Sequence, residues 1–330
     1  MTRRQVELTH PDRVLFPDDG ITKADLAAYH EAVAPAMLPL IAGRPVTLQR
    51  FPRGIAARSA GPRPQHGGDG FYQKQASEGF PDWIERVEVR KGRSQRVTHM
   101  VCRAPEDLVY LANLSCITPH VWLSRAAPPG GGRAGGRGRQ GQGRPEGRPG
   151  PALDRPDLLV YDLDPGDDQG MVVPAARALR GLLDELGLPA FVKATGSRGL
   201  HIAVPLDGSA TTGEADAFAL VSAQVLAARD PERLTTEWLL ADRHGRLLLD
   251  TRRNGWAQMI AAPYAVRALP GAPVSVPLAW EELDEPGWSA DRHTLRTVPD
   301  RLAGAADPWA GMDAVAASLD AARDRLAELA

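Results

Sequence analysis

Two aspartates one residue apart, Asp162 and Asp164 in Tyr161-Asp162-Leu163-Asp164-Pro165-Gly166, are the side chains of this chain best suited to chemistry. Residues i and i+2 of a strand point to the same face. An extended DLLVYDL run therefore sets both carboxylates side by side at a strand end. Adjacent carboxylates repel, and a hard divalent cation relieves the repulsion. Read alone, the segment also fits a plain Asp-Pro-Gly turn. A third carboxylate, Asp250, ends the apolar run Arg246-Leu247-Leu248-Leu249-Asp250. Three convergent aspartates can hold two metal ions, one activating a 3′-hydroxyl and one bridging a triphosphate.

A second feature is Thr195-Gly196-Ser197-Arg198-Gly199-Leu200-His201. Glycines let backbone N–H groups approach an anion closely. Arg198 adds charge, and Thr195, Ser197 and His201 add donors. The spacing is not that of a Walker A loop, and a tight β-hairpin explains the glycines equally well. A third feature is the basic set Arg243, Arg246, Arg252, Arg253 and Arg267, whose guanidinium forks suit phosphates or simply a solvated sheet edge. Upstream, Phe71-Tyr72-Gln73-Lys74 mixes aromatics with a base and could stack a nucleobase or cover a core.

The elements that must position these groups follow from pattern. Asp157–Leu163 reads as a buried strand, Val172–Leu186 as a helix closed by Gly187, Ala190–Ala194 as a strand, and Gly196–Gly199 as a turn. Leu200–Pro205 reads as a strand, Thr212–Ala228 as a helix, and Arg246–Asp250 as a strand. The order β-α-β-β-α-β is that of ferredoxin-like and RNA-recognition-motif-like sheets. Its spatial order, 4-1-3-2, puts the Asp162 strand between the Asp250 and His201 strands. Before it, Thr22–Ala42 reads as a helix with a Thr22/Asp25 capping box and a Gly43 stop. Pro105–Ile117 reads as a second helix, with strands near 44–51, 71–75, 84–90 and 95–101. Met312–Leu329 reads as an amphipathic tail helix. The expected fold class is α/β (α+β), divided into an N-terminal αβ part (1–127), a loop (128–150), a catalytic part (151–300) and a C-terminal helix (301–330).

The 330 residues are 43% hydrophobic and 24% charged, which excludes global disorder. No apolar run has the length of a membrane span, and MTRRQVELTH lacks the apolar core of a secretory signal. Two cysteines, Cys102 and Cys116, cannot build a four-thiolate zinc site or a disulfide framework. A cytoplasmic, nucleoid-associated protein with no membrane partner is therefore expected. The net charge of −2 hides an asymmetry: residues 1–153 hold 22 Lys and Arg against 14 Asp and Glu, leaving 17 against 27 for residues 154–330. One half suits a polyanion and the other cations. Residues 128–150 contribute ten Gly, four Pro and five Arg, a basic loop with nothing to bury.

Taken in order, HPDRVLFPDDGITKADLAAYH, GRPVTLQRFPRG, FYQKQ, DLDPG, TGSRGLH and LLLDTRRN…APYAVR resemble the primase-polymerase domain of bacterial DNA ligase D, in the archaeo-eukaryotic primase superfamily. The resemblance runs from about residue 5 to about residue 300. It implies a primase-polymerase fold with an RNA-recognition-like core. It also implies a metal-dependent, template-directed nucleotidyltransferase of non-homologous end joining that uses two Mn²⁺ or Mg²⁺ ions. Asp162, Asp164 and Asp250 match the metal triad; Thr195, Ser197, Arg198 and His201 match the triphosphate loop. His120, Arg243, Arg267, Phe71 and Tyr72 match residues around the nucleotide or primer. Arg13 and Lys23 match the basic pair that holds a DNA 5′-phosphate. Implied partners are gapped duplex or DNA ends, NTPs or dNTPs, Ku and a separate ATP-dependent ligase. Gln49 departs from the pattern where a second basic residue is common, and no Lys-x-Asp-Gly ligase motif occurs, so a stand-alone polymerase is expected. Two rival readings are a de novo primase and a non-catalytic DNA-end-binding recruitment module.

Overall fold

The computed structural model describes residues 4–56, 70–91, 95–126, 152–166 and 168–329. The Gly/Arg/Pro-rich segment 128–150 lies outside the described residues. In the first half, β1 (Val14–Phe16) and β2 (Ile21–Thr22) form a ribbon leading into α1 (Lys23–Ile41). Thr22 and Asp25 close the expected capping box, and Gly43 follows the helix with φ +81°. Next come β3 (Pro45–Arg50), β4 (Phe71–Gln73), β5 (Glu85–Lys91), β6 (Gln95–Val101), α2 (Pro105–Asn113) and β7 (Cys116–Val121). The second half holds β8 (Leu158–Asp164), α3 (Val172–Glu185), β9 (Phe191–Ala194), β10 (Leu200–Pro205), α4 (Thr212–Arg229), β11 (Leu234–Thr235), α5 (Leu240–Arg243) and β12 (Leu247–Asp250). It continues with β13 (Ile260–Ala261), β14 (Ala265–Val266), β15 (Val274–Ser275), β16 (Pro277–Leu278), α6 (Val298–Gly304) and α7 (Asp320–Leu329).

The second-half sheet runs β11-β12-β8-β10-β9-β16. Its central four strands realise the 4-1-3-2 order expected of a split βαβ core. Along β8 the side chains alternate. Tyr161 faces α4, where its hydroxyl meets Ser222 Oγ at 2.6 Å, so Asp162 and Asp164 face away from the helices. The first-half sheet, ordered β13-β7-β3-β6-β5 with β4 on β3, meets the β9 end of that face, where Lys193 donates to the Ala261 carbonyl. Strand β13 comes from the second half, yet completes the first sheet by pairing Ala261 with His120 of β7. One continuous apolar core includes residues of both halves, and Tyr29 of α1 donates to the Tyr264 carbonyl across it.

Two sequence expectations are corrected. The second helix stops at Asn113, not Ile117, because Ser115 turns the chain at φ +55° and Cys116–Val121 enters the sheet. Pro119 and the β-branched residues around it belong in a strand rather than a helix interior. The tail is not one helix from Met312. A 3₁₀ turn, Met312–Val315, is followed by an extended stretch in which Ala317 exchanges backbone hydrogen bonds with Pro205 and Asp207. Helix α7 begins only where Ser318 Oγ accepts from Asp320 N.

His30 on α1 gives the fold a pH dependence. Its Nδ1 lies 2.7 Å from the Leu108 carbonyl while Nε2 is buried without a partner, and burial lowers its pKa to about 4. The folded state therefore holds a neutral imidazole. As pH falls from 6.5 towards 4 the unfolded chain binds the proton first, and roughly 3 kcal/mol of stability is lost. Urea midpoints should fall more steeply across this window in the wild type than in His30→Gln; parallel curves would show that His30 does not titrate on unfolding.

Candidate active site

Strand register assembles the site. Asp250 of β12 and His201 of β10 are both directly opposite Asp162 of β8, and Lys193 of β9 is opposite His201. Directly opposed residues share a face, so Asp250, Asp162, His201 and Lys193 form one row across the sheet, with Asp164 one step along β8. Two backbone devices hold β8 in place. Asn254, buried after β12, accepts from Val160 N at 2.9 Å and donates to Val160 O at 2.8 Å. Gly199 lies so close to β8 that a Cβ there would sit 2.1 Å from the Leu163 carbonyl oxygen. The Thr195 hydroxyl closes the turn by donating to Gly199 O at 3.0 Å, and Gly196 bends it at φ +68°.

Arginines face the aspartates. Arg253 Nε stands 3.7 Å from both Asp162 and Asp250. Asp164 is engaged by Arg243 at 2.9 Å and has Arg198 at 3.8 Å. Arg198 also donates to Gly166 O. Arg267 donates to Thr195 O at 2.5 Å, and Ser197 is half-buried in the same turn. Burial raises the Asp250 pKa and the neighbouring Asp162 charge adds to it, only partly offset by the Arg252 N–H and Arg253. Burial also acts to raise Asp162, but His201, Arg253 and Lys193 outweigh it and hold that carboxyl below its usual range. Two facing carboxylates, one of them reluctant to ionise, are a donor set that fits a hard divalent cation. Among the described residues no three metal-ligating side chains converge, and Asp164 accepts from Arg243 at 2.9 Å.

Two histidines flank this row as neutral groups. His201 Nε2 is 3.5 Å from Asp162 Oδ1, its Nδ1 is buried without a partner, and burial with nearby Lys193 lowers its pKa to about 4. His120 lies on the opposing sheet, with Nδ1 3.1 Å from Thr118 O, and burial and Arg267 lower its pKa to about 3. Tyr72 meets His120 edge-on, with ring centroids 5.4 Å apart. The tyrosine is 49% exposed, and its hydroxyl pKa is raised by burial against the pull of Arg267 and Arg253. Phe71 lies on the other side of β4, under the Arg50 guanidinium at 5.4 Å, so the two aromatics expected near the base face opposite ways.

Arg13 and Lys23 form a separate cluster. The Lys23 ammonium is buried and donates to Thr9 O at 2.7 Å and Asn113 O at 2.9 Å, and Arg13 donates to Pro52 O. Burial, Arg13 and Arg50 lower the Lys23 pKa, which places three cations together. The sequence reading missed Lys193 as a site residue. Its signal was a lone lysine two positions before Thr195 in an otherwise apolar strand.

A sequence model of the LigD primase-polymerase domain matches residues 22–309. The chain belongs to the LigD primase-polymerase domain family. It is 33% identical over 288 residues to the multifunctional non-homologous end joining DNA repair protein LigD of Mycobacterium tuberculosis, covering 86% of this chain and 34% of that protein. To the multifunctional LigD of Pseudomonas aeruginosa it is 33% identical over 313 residues, 92% of this chain and 32% of the relative. The chain thus spans about a third of the length of these relatives. The solved polymerase domain of M. tuberculosis ligase D in complex with DNA matches with a TM-score of 0.79 at 32% identity, over 95% of this chain and all of that one. The mixed α/β architecture and the resemblance read from the motifs are thereby confirmed. Among the described residues no helix is long and apolar enough to cross a membrane.

The β8 contact yields a sharp expectation. Gly199→Ala should displace Leu163 between the two aspartates, destabilise the fold by about 2 kcal/mol and cut nucleotide addition about tenfold or more. Gly181→Ala, with no atom near its added Cβ in α3, should leave both intact or gain slightly in stability. Denaturant melts and primer extension on the pair check this; equal behaviour would remove Gly199 from the site's support.

Proposed function

We propose that the chain is a metal-dependent, template-directed polymerase that adds ribo- or deoxyribonucleotides at DNA ends or gaps in non-homologous end joining. The observation that carries this is the facing pair Asp162 and Asp250, with Asp164 alongside, opposite a neutral His201 and an arginine-rich turn. Asp162, Asp164 and Asp250 would hold two Mn²⁺ or Mg²⁺ ions, which when bound favour 3′-hydroxyl attack on the α-phosphate and neutralise the pyrophosphate charge.

The chain's own groups bind and orient the reactants. Arg198 and Arg267 present charge to a triphosphate, while Thr195 and Ser197 shape the turn that receives it. His201 and His120 stay neutral at physiological pH and contribute hydrogen bonds without added charge. Tyr72, half exposed beside His120, offers a stacking face for a base. Arg243 donates to Asp164 at 2.9 Å and orients that carboxylate, which would join Asp162 and Asp250 in holding the cations. The Arg13, Lys23 and Arg50 cluster suits the 5′-phosphate at the far side of a gap. The family's place in non-homologous end joining supports Ku and an ATP-dependent ligase as partners in joining, in the cytoplasm beside the nucleoid.

Primer extension on a gapped duplex with a 5′-phosphate tests the assignment. Asp164→Ala should lose nucleotide addition by about a hundredfold or more while binding DNA normally; retained addition would overturn it. Arg13→Gln should weaken the preference for 5′-phosphorylated over 5′-hydroxyl gaps, and Arg13→Ala with Lys23→Ala should erase it. Melting curves must accompany the double variant, because Lys23 also ties Thr9 and Asn113. An unchanged preference in folded protein would leave these residues a structural role alone.

A further inference from the structure

Lys193 is a fully buried lysine at the floor of the cleft between the two sheets. Its ammonium donates to Ser275 Oγ and to the Ala261 carbonyl at 3.3 Å. Each contact reaches a different part of the site. Ala261 is paired directly with His120 on the opposing sheet. Ser275 belongs to β15, whose partner strand β14 leads straight into Arg267. The Ser275 hydroxyl passes the connection back by donating to Ala194 O at 3.3 Å, and Arg267 returns to the same segment through Thr195 O. On its own sheet Lys193 stands opposite His201. Groups contributed by β7, β10, β14 and the turn after β9 are thus referred to one ammonium.

Fold stability alone is a poor reason for a cation here. A buried charge is costly to desolvate, and an apolar side chain of similar volume usually serves packing as well or better. Lys193 moreover lies within electrostatic reach of another cation, Arg267. What an ammonium supplies and a methyl group does not is a directional tie between two sheets.

We infer that Lys193 is a positioning residue: through Ser275 and Ala261 it fixes the separation of the nucleotide-facing groups His120, Arg267 and Thr195 from the His201 strand, and so sets the affinity for the incoming nucleoside triphosphate. The inference rests on the polymerase reading. It concerns how the nucleotide cleft is held together rather than which residues touch the nucleotide.

The test is steady-state incorporation on a 5′-phosphorylated gapped duplex, with DNA affinity and melting temperature measured for each protein. Lys193→Met should raise the nucleotide KM about tenfold and change kcat less than about threefold, with DNA affinity unchanged. Ser275→Ala should raise KM about threefold. The double variant should be no worse than Lys193→Met, since both changes break one tie. A nucleotide KM within about twofold of wild type in folded Lys193→Met would overturn the inference. Additive effects in the double variant would also overturn it, as would a fall in kcat that tracks lost stability. Should Lys193→Met fail to fold, Ser275→Ala decides alone by the same KM criterion. A wild-type protein that extends no primer contradicts the polymerase reading itself, a failure distinct from an active wild type with an indifferent Lys193.

Discussion

The structure depends on forcing two carboxylates to face each other across the β8–β12 pair. Asp162 and Asp250 are opposed by register, and neither position can leave the shared face without breaking the ladder. Burial, with a smaller contribution from the Asp162 charge, raises the Asp250 pKa, while His201, Arg253 and Lys193 hold Asp162 below its usual range. The surrounding elements hold the pair in place. Asn254 locks β8 from one side, Gly199 lets the Thr195 turn close against it from the other, and α3 and α4 cover the back of the sheet. Paired carboxylates held on one face by strand register are a donor set suited to a hard cation.

The charges around the pair divide the labour. Arg253 bridges the two facing carboxylates, and buried Arg243 and half-exposed Arg198 attend Asp164, so the negative charge is balanced by guanidinium groups on the turns around the row. Both histidines are kept neutral by burial among cations, which leaves the positive field of the cleft mainly to arginine, since burial and Arg267 also lower Lys193 to about 7. Separation of the Arg13, Lys23 and Arg50 cluster from this cleft gives the molecule two basic regions. Two such regions suit a substrate gripped at two points, a recessed 3′ end and a downstream 5′ end.

Much of this was legible in the chain. The catalytic sheet follows from hydrophobic runs bounded by Gly and Pro, and the 4-1-3-2 order follows from element order alone. The opposition of Asp250 and His201 to Asp162 follows from that order, while Asp164 sits one step along β8 with its carboxylate on Arg243. What escaped was set by tertiary partners. Pro105–Asn113 ended early because Ser115 adopts a left-handed conformation that propensity does not announce. The tail broke because Ala317 found the edge of β10's exit, a contact over a hundred residues away. Phe71 and Tyr72 looked like one platform, but strand alternation sends them to opposite faces. Lys193 looked like a strand lysine until β13 and the β14–β15 ribbon supplied Ala261 and Ser275.

Cation uptake by the paired carboxylates is the most direct test. Free Mn²⁺ can be followed by its electron spin resonance signal while wild type, or Asp162→Asn with Asp250→Asn, is titrated in with a nucleoside triphosphate. A site built on the facing pair predicts that folded wild type removes the free-ion signal beyond what the nucleotide alone removes, and that the equally folded double variant does not. Equal uptake by both proteins would contradict it, and would mean that the register of β8 and β12 serves the sheet rather than a metal.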